Sequence, residues 1–264
     1  MSGGAGLPPP SHTGPREWDA EVYHRVSQPQ FEWASDVLGR LPLRGDEVVL
    51  DAGCGTGRVT ALLRERLPRG RVIGVDASDA MVRKAREVLG DRIELLIADL
   101  TEMRLSEQVD AVFSNAVFHW IADHDRLFAR LGETLRPGGR LVAQCGGEGN
   151  VASLAAAARA VAARAAYAKH LAGIERLWNF ASPRETEARL ERAGFDAVKC
   201  WLEPKPVTPE RPLDYLATVT LGPYLDRLPK ALRESFVEDV ATEMGSPLVL
   251  DHVRLNISAR RSAE

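Results

Sequence analysis

The chain has 264 residues, 45% hydrophobic and 27% charged, the proportions of a globular protein long enough to bury a sizeable core. Its 34 basic and 37 acidic side chains leave a formal net charge of −3, so there is no electrostatic case for nucleic acid or an anionic membrane surface. Arg159 and Arg164 interrupt the most alanine-rich run, leaving no segment apolar enough to span a bilayer, and Cys54, Cys145 and Cys200 form no CxxC pair, which predicts a reducing, cytoplasmic compartment rather than a disulfide framework.

The first 15 residues, MSGGAGLPPPSHTGP, read as a disordered tail without the basic start and apolar run of a secretory leader. Order is predicted from Arg16. Apolar residues recur at helical spacing from Trp18 through Tyr23 to Leu38, with Pro29 placed to interrupt or start a helix. Short apolar runs at 48–51, 71–76, 93–98, 110–114 and 140–145 predict strands, and 59–67, 80–89 and 124–135 predict helices. Pro137-Gly138-Gly139 is placed as a stop and turn before the fifth strand. Strands alternating with helices of about ten residues predict βαβ units and a parallel sheet covered on both faces.

After the glycine-rich 146–149 the rhythm breaks. An alanine-rich helix is expected to about residue 170. Another is expected over 182–193, where Ser182, Pro183 and Glu185 make a capping box and Gly194 closes it. A sixth strand is predicted at 195–202 and a seventh within 248–260. The roughly forty residues between them carry helical periodicity and exceed what a hairpin needs. The expected architecture is one α/β domain over 16–264: a Rossmann-like, doubly wound sheet with a helical cap built from about 147–181 and 206–246.

The stretch Val48–Leu63, VVLDAGCGTGRVTALL, carries the chemistry. In doubly wound sheets ligands bind at the carboxyl ends of strands. Gly53, Gly55 and Gly57 let a ligand approach backbone there and permit unusual φ angles. Asp51, just before them, can hold a loop amide or, through water, a ligand amine. Asp76 ends the second strand nineteen residues past Gly57, where a carboxylate accepts both hydroxyls of a ribose. Asp99 follows the third strand, within reach of an adenine amino group. A nicotinamide dinucleotide and S-adenosylmethionine both suit an acid after strand two. The dinucleotide fingerprint is GxGxxG, and here the third glycine comes one position early. The phosphate-free ligand is the better reading.

With VLDAGCGTG, VIGVDAS, IADL, VDAVFSNAVFHW and LRPGGRLV in order, the chain resembles the class I S-adenosylmethionine-dependent methyltransferases over nearly its whole length. The resemblance implies a seven-stranded sheet whose last strand is antiparallel and inserted between strands five and six. It implies Asp76, followed by Ala77, at the ribose, the Gly53–Gly55 region under the methionine, and Asp99 and Leu100 beside adenine. It implies that the backbone of Asn115 holds the methionine amine. WDAEVYHRVS, FSNAVFHWIADH and LGPYLDRL are similar to the trans-aconitate methyltransferase group, in which the helix bearing Trp18 and Tyr23 folds over the cofactor. In one departure, Gly222 precedes Pro223-Tyr224 where that group carries an arginine, the natural bidentate partner of a carboxylate. That weighs against a tricarboxylic acceptor.

Methyl transfer from a sulfonium is an in-line displacement that asks mainly for positioning and desolvation. A carboxylate needs no base; an alcohol, phenol or ammonium does. His119, just beyond strand four, is the candidate base, a substrate hydrogen-bond partner, or a packed ring. Trp120 is placed to wall the site. Trp178, Phe180, Tyr215 and Tyr224 of the cap are candidates to line an apolar pocket, each also readable as core. Arg211 and Arg227 are candidate anion partners. The histidines show no metal-ligand spacing. The expected activity is S-adenosylmethionine-dependent O-methylation of a carboxylate on a small, trans-aconitate-like acid by a monomer or homodimer. The alternatives are O- or C-methylation of a larger apolar natural product and a non-catalytic S-adenosylmethionine-binding regulator. The strand-four motif SNAVFHW lacks the Asn/Asp-Pro-Pro-Tyr set of enzymes that methylate bases or glutamine.

Overall fold

The structure is a computed structural model that describes residues 18–174 and 177–263; the expected tail lies outside the described residues. Two helices open it, α1 (Ala20–Val26) and α2 (Gln28–Gly39). Asp19 caps the first by accepting from the Val22 amide, and Pro29 sits in the first turn of the second, where its missing N–H costs nothing. The alternation follows: β1 (Val48–Ala52), α3 (Arg58–Glu65), β2 (Arg71–Asp76), α4 (Asp79–Leu89), β3 (Glu94–Ile97), β4 (Val109–Asn115), α5 (His124–Thr134) and β5 (Leu135–Gly146).

The seven strands form one sheet in the order β3-β2-β1-β4-β5-β7-β6, with β6 at Phe195–Pro204 and β7 at Val253–Arg261. β1 runs parallel to β2 and β4, and β4 to β5, while β7 is antiparallel to both β5 and β6. The inserted, reversed last strand is the arrangement the family resemblance implied. Side chains alternate between the faces with period two. Val49 and Val72 enter the core under α2, α3 and α4, while Leu50 and Ile73 enter the core under α5 and α8 (Pro183–Arg192). Both faces are therefore covered, as a parallel sheet requires.

A third cluster joins α6 (Ala152–Ala162), α7 (Ala168–Leu171), α9 (Pro212–Tyr215), α10 (Gly222–Arg227) and α11 (Lys230–Met244). The alanine-rich segment is not one helix. It breaks after Ala162, because Tyr167 turns inward, donates to Asp239 Oδ2 at 2.8 Å and packs edge-on against Phe236. Pro137-Gly138-Gly139 does not precede the fifth strand but bulges within it. Leu135 already pairs with Val109, and the next pair is Ala111 with Arg140. The capping box forms as expected, Ser182 Oγ accepting from the Glu185 amide and Glu185 Oε2 from the Ser182 amide.

Candidate active site

β1 and β2 end side by side, and the glycine loop turns across their ends. The amides of Gly53 and Cys54 donate to Val75 O at 2.7 and 3.0 Å. Gly53 has φ +84°, and an added Cβ would lie 2.2 Å from Val117 Cγ2. Gly55 has φ +53°, and nothing lies within 4 Å of where its Cβ would be. The first glycine lets two strand ends approach; the second leaves room for something else. Asp76 holds the loop, Oδ2 accepting from Gly55 N and Oδ1 from Ser78 N, each at 2.9 Å.

A first cavity of about 460 Å³ opens on this loop, with Tyr23, Asp51, Gly53, Gly55 and Asn115 in its wall. Asp51 is 2% exposed and accepts from Thr60 Oγ1 at 2.7 Å. Burial pushes its carboxyl up to about 7 against the lowering by Thr60, with the Asp76 charge adding to the rise. Burial, helped by Asp76, pushes the Tyr23 phenol up to about 12. Asn115 Nδ2 donates to Gln30 O at 3.0 Å, while its Oδ1 is buried without a partner. Asp76, Ala77, Asp99 and Leu100 line neither this cavity nor its neighbour. Asp99 is exposed and accepts from Thr101 N and Oγ1, both at 2.7 Å. Leu100 is buried in the core.

The chain leaves β4 through Ala116, at φ +63°, into a single 3₁₀ turn, Phe118–Trp120. A second cavity of about 450 Å³ lies here. Val151, another non-glycine residue in the left-handed region at φ +47°, sits opposite in its wall. His119 is 8% exposed, and its Nδ1 accepts from Gly146 N at 3.2 Å. That bond places the ring proton on Nε2. Burial, with Arg254, His252 and His124 nearby, holds His119 well below the usual histidine range, so the ring is neutral. Trp120 meets Trp18 edge-on at 5.1 Å and Trp178 at 6.4 Å. Trp178 stacks on Phe180 at 5.5 Å and 11°, and Trp18 meets Tyr23 at 5.4 Å. Trp18, Trp120, Trp178 and Phe180 thus form an aromatic wall in one cavity. Tyr23 and Gln30 line both cavities and join them.

A hydrogen-bonded chain runs along the wall of the second cavity and passes behind it at Tyr215. Gln30 Nε2 donates to Tyr215 Oη at 2.6 Å, Tyr215 Oη lies 3.2 Å from His252 Nε2, and His252 Nδ1 lies 3.3 Å from Asn150 Oδ1. With the Asn150 oxygen accepting, His252 carries its proton on Nδ1. Burial and then Arg254 pull its pKa down to about 3. Arg254 completes this side, 2% exposed.

Two of the expected pocket tyrosines do not line either cavity. Tyr215 supports the second one from behind, and Tyr224 stacks on Phe236 at 5.5 Å inside the helical core. Arg211 is exposed and pairs with Asp214 at 2.6 Å, and Arg227 lines neither cavity. Sequence reasoning missed Gln30, Asn150 and Arg254. The available signal for Arg254 was a lone cation inside the apolar strand pattern HVRLNIS. Cys54, Cys145 and Cys200 are buried free thiols, no helix is long and apolar enough to cross a membrane, and no metal-binding cluster occurs among the described residues.

Residues 49–139 match a family described as a methyltransferase domain. The chain is 31% identical over 228 residues to trans-aconitate 2-methyltransferase of Variovorax paradoxus (strain S110), covering 84% of this chain and 87% of that one. It is 43% identical over 127 residues to the enzyme of the same name from Azoarcus sp. (strain BH72), covering 48% of this chain and spanning only 50% of that relative. The solved structure of phosphoethanolamine N-methyltransferase 2 from Haemonchus contortus, in complex with phosphomonomethylethanolamine and S-adenosylhomocysteine, superposes with a TM-score of 0.60 at 19% identity, covering 93% of this chain and 57% of that one. At that identity the likeness concerns the fold.

Proposed function

The chain belongs to the class I S-adenosylmethionine-dependent methyltransferases, in the trans-aconitate 2-methyltransferase family, and from that premise we propose that it methylates a carboxylate oxygen of a small organic acid. The observation that carries this reading is the pair of cavities meeting at Tyr23 and Gln30, one on the glycine loop, the other on the His119 turn.

The first cavity fits the cofactor. The open position at Gly55 accommodates its methionine part, and the unpartnered Asn115 Oδ1 and the Asp51 carboxylate stand ready for an ammonium. Asp76, whose oxygens accept the Gly55 and Ser78 amides, is assigned to the ribose hydroxyls. Ala77 is assigned beside the ribose, Asp99 and Leu100 beside the adenine, and Tyr23 over the ligand. Bound here, S-adenosylmethionine supplies a methyl group on an activated sulfonium leaving group.

The acceptor occupies the second cavity. Trp18, Trp120 and Trp178 exclude water from it, which strips solvent from an attacking carboxylate. His119 is assigned as a donor through Nε2–H rather than as a base: its Nδ1 lone pair is taken by the Gly146 amide, and an ionised carboxylate has no proton to give up. Tyr215 and Tyr224 are assigned supporting and core roles. The proposed setting is cytoplasmic, in keeping with three buried free thiols, and the enzyme is assigned as a monomer or homodimer.

The reading is tested by S-adenosylhomocysteine formation with trans-aconitate, other carboxylic acids, phenols and isoprenoid alcohols. Turnover confined to acids is expected. A thermal shift with NAD and none with S-adenosylhomocysteine would sink it, since a bound ligand raises the melting point through mass action.

A further inference from the structure

We propose that Arg254 is the anion anchor of the second cavity, and that the acceptor it selects is a monocarboxylic acid with an apolar body. The inference rests on reading that cavity as the acceptor site and deepens it to a substrate class.

Arg254 lies opposite Gly146 in the β5–β7 register, and Gly146 is the residue whose amide orients His119. The sheet therefore delivers the guanidinium and the His119 ring to one place, and both line the cavity. The guanidinium is held but not neutralised. Its Nε donates to Gln144 Oε1 at 3.4 Å, its Cζ lies 4.9 Å from the Trp33 ring centroid, and its Nη2 is buried with no partner. Gln144 is itself oriented by donating from Nε2 to Asn256 Oδ1 at 2.7 Å, which turns its oxygen toward Arg254.

The acid beside Arg254 on β6 and the acid three residues before it are engaged elsewhere. Glu203, its register partner on β6, pairs with Arg40 at 3.5 Å and Lys205 at 3.2 Å. Asp251 accepts from Ser153 N and Oγ at 3.1 and 2.6 Å. A buried cation without a counter-charge is costly, and an arginine does not escape by losing its proton. An anion brought by the acceptor supplies what the fold leaves out, and the guanidinium fork matches a carboxylate.

The charge count sets the selectivity. Among the described residues lining this cavity, Arg254 is the one carrying a charge, because His119 and His252 are both held neutral. The rings of Trp18, Trp120, Trp178 and Phe180 supply the apolar part of the same lining. A tricarboxylate would place two further charges against rings that cannot solvate them. A monoacid places its one charge on Arg254 and its body on the rings.

The chemistry balances without a proton. With one carboxylate oxygen on the guanidinium, the other forms the new O–C bond, the S–C bond breaks, and its electron pair returns to sulfur. The product is a neutral ester, which loses the ion pair with Arg254 and is thereby released.

The test is calorimetric titration into the S-adenosylhomocysteine-loaded protein. The probes are trans-cinnamate, indole-3-acetate and decanoate, the amides of all three, and trans-aconitate. At least one monoacid is expected to bind on the order of 30-fold more tightly than its amide and more tightly than trans-aconitate. Arg254→Met should weaken that monoacid on the order of 100-fold while leaving S-adenosylhomocysteine affinity unchanged and the melting point equal or higher. Arg254→Lys, which keeps the charge but not the fork, should lose roughly tenfold. Failure of all three monoacids to bind, equal affinity for acid and amide, tighter binding of trans-aconitate, or an unchanged affinity in Arg254→Met each overturns the proposal. Should Arg254→Met not fold, Arg254→Lys and the acid–amide comparison decide. Arg254-dependent acid binding with no methyl transfer would remove the proposed activity and leave the anchor; methyl transfer to an acid indifferent to Arg254→Met would do the reverse.

Discussion

Gly53→Ala and Gly55→Ala differ by one place in the same loop and should fail in different ways. At Gly53 an alanine must hold φ +84°, which costs about 1–2 kcal/mol. Its Cβ would lie 2.2 and 2.7 Å from the two Val117 methyl carbons. A β-branched side chain cannot swing both away, so overpacking adds about 1–3 kcal/mol. The sum is ~2–5 kcal/mol, or a melting-point fall of roughly 5–15 °C for a chain of this size. At Gly55, φ is +53° but no atom lies within 4 Å of the new Cβ. Stability should fall by only about 1 kcal/mol, and the methyl instead occupies space assigned to the cofactor. The expected loss in S-adenosylhomocysteine affinity is on the order of 10- to 100-fold. Urea unfolding measures the first quantity and calorimetry the second. Equal stability losses in the two variants, or native affinity in Gly55→Ala, would refute the assignment of Gly53 to strand packing and Gly55 to ligand space.

Asp51 carries a pH signature. Its folded value of about 7 lies above the ordinary 3.8, so the fold binds a proton the unfolded chain has released. Its favourable contribution is full below about pH 4 and is lost as pH rises to about 7, roughly 4 kcal/mol at 1.36 kcal/mol per pH unit. Asp51→Asn should flatten the melting point against pH over that window and raise it at pH 8. S-adenosylmethionine affinity should strengthen from pH 6 to 8 in the natural chain and not in this variant; a pH-independent affinity in the natural chain would count against an ionised Asp51 facing the ammonium. His119→Gln keeps an N–H donor without a useful base, so kcat should stay within about tenfold; a loss of a thousandfold or more would restore the general base. Tyr224→Phe removes only a hydroxyl from a core ring, so kcat/KM should change less than about twofold, and a KM rise of tenfold would return Tyr224 to the acceptor site.

The half of the candidate site proposed for the cofactor was legible because its signals are local. A strand, spaced glycines and an acid at the next strand end lie within Val48–Asp76, and β1 and β2 appeared within one residue of their expected bounds. The acceptor half was not. Tyr215, Tyr224, Trp178 and Phe180 look alike in sequence, as aromatics in or beside helical segments. Which of them faces a cavity depends on how α6, α9, α10 and α11 pack, and that packing puts Trp178 and Phe180 in the wall and Tyr224 on Phe236. The arginine missing before Pro223 weighed against a tricarboxylic acceptor and left Arg211 and Arg227 as candidate anion partners, whereas the arginine that lines a cavity is Arg254 on β7.

The sequence by itself determined the fold class, the reversed last strand between strands five and six through the family resemblance, and the glycine loop at the end of β1, because period-two burial and glycine backbone freedom are properties of neighbouring residues. Only the tertiary structure decided what the second cavity, proposed for the acceptor, is made of. Arg254, Leu255, Asn256 and Ile257 are all buried in succession, because β7 is covered on both faces. Alternation therefore says nothing about which of them meets a ligand. The antiparallel insertion of β7 beside β5 sets Arg254 against Gly146 and so beside His119, joining a residue near the end of the chain to a turn more than a hundred positions earlier.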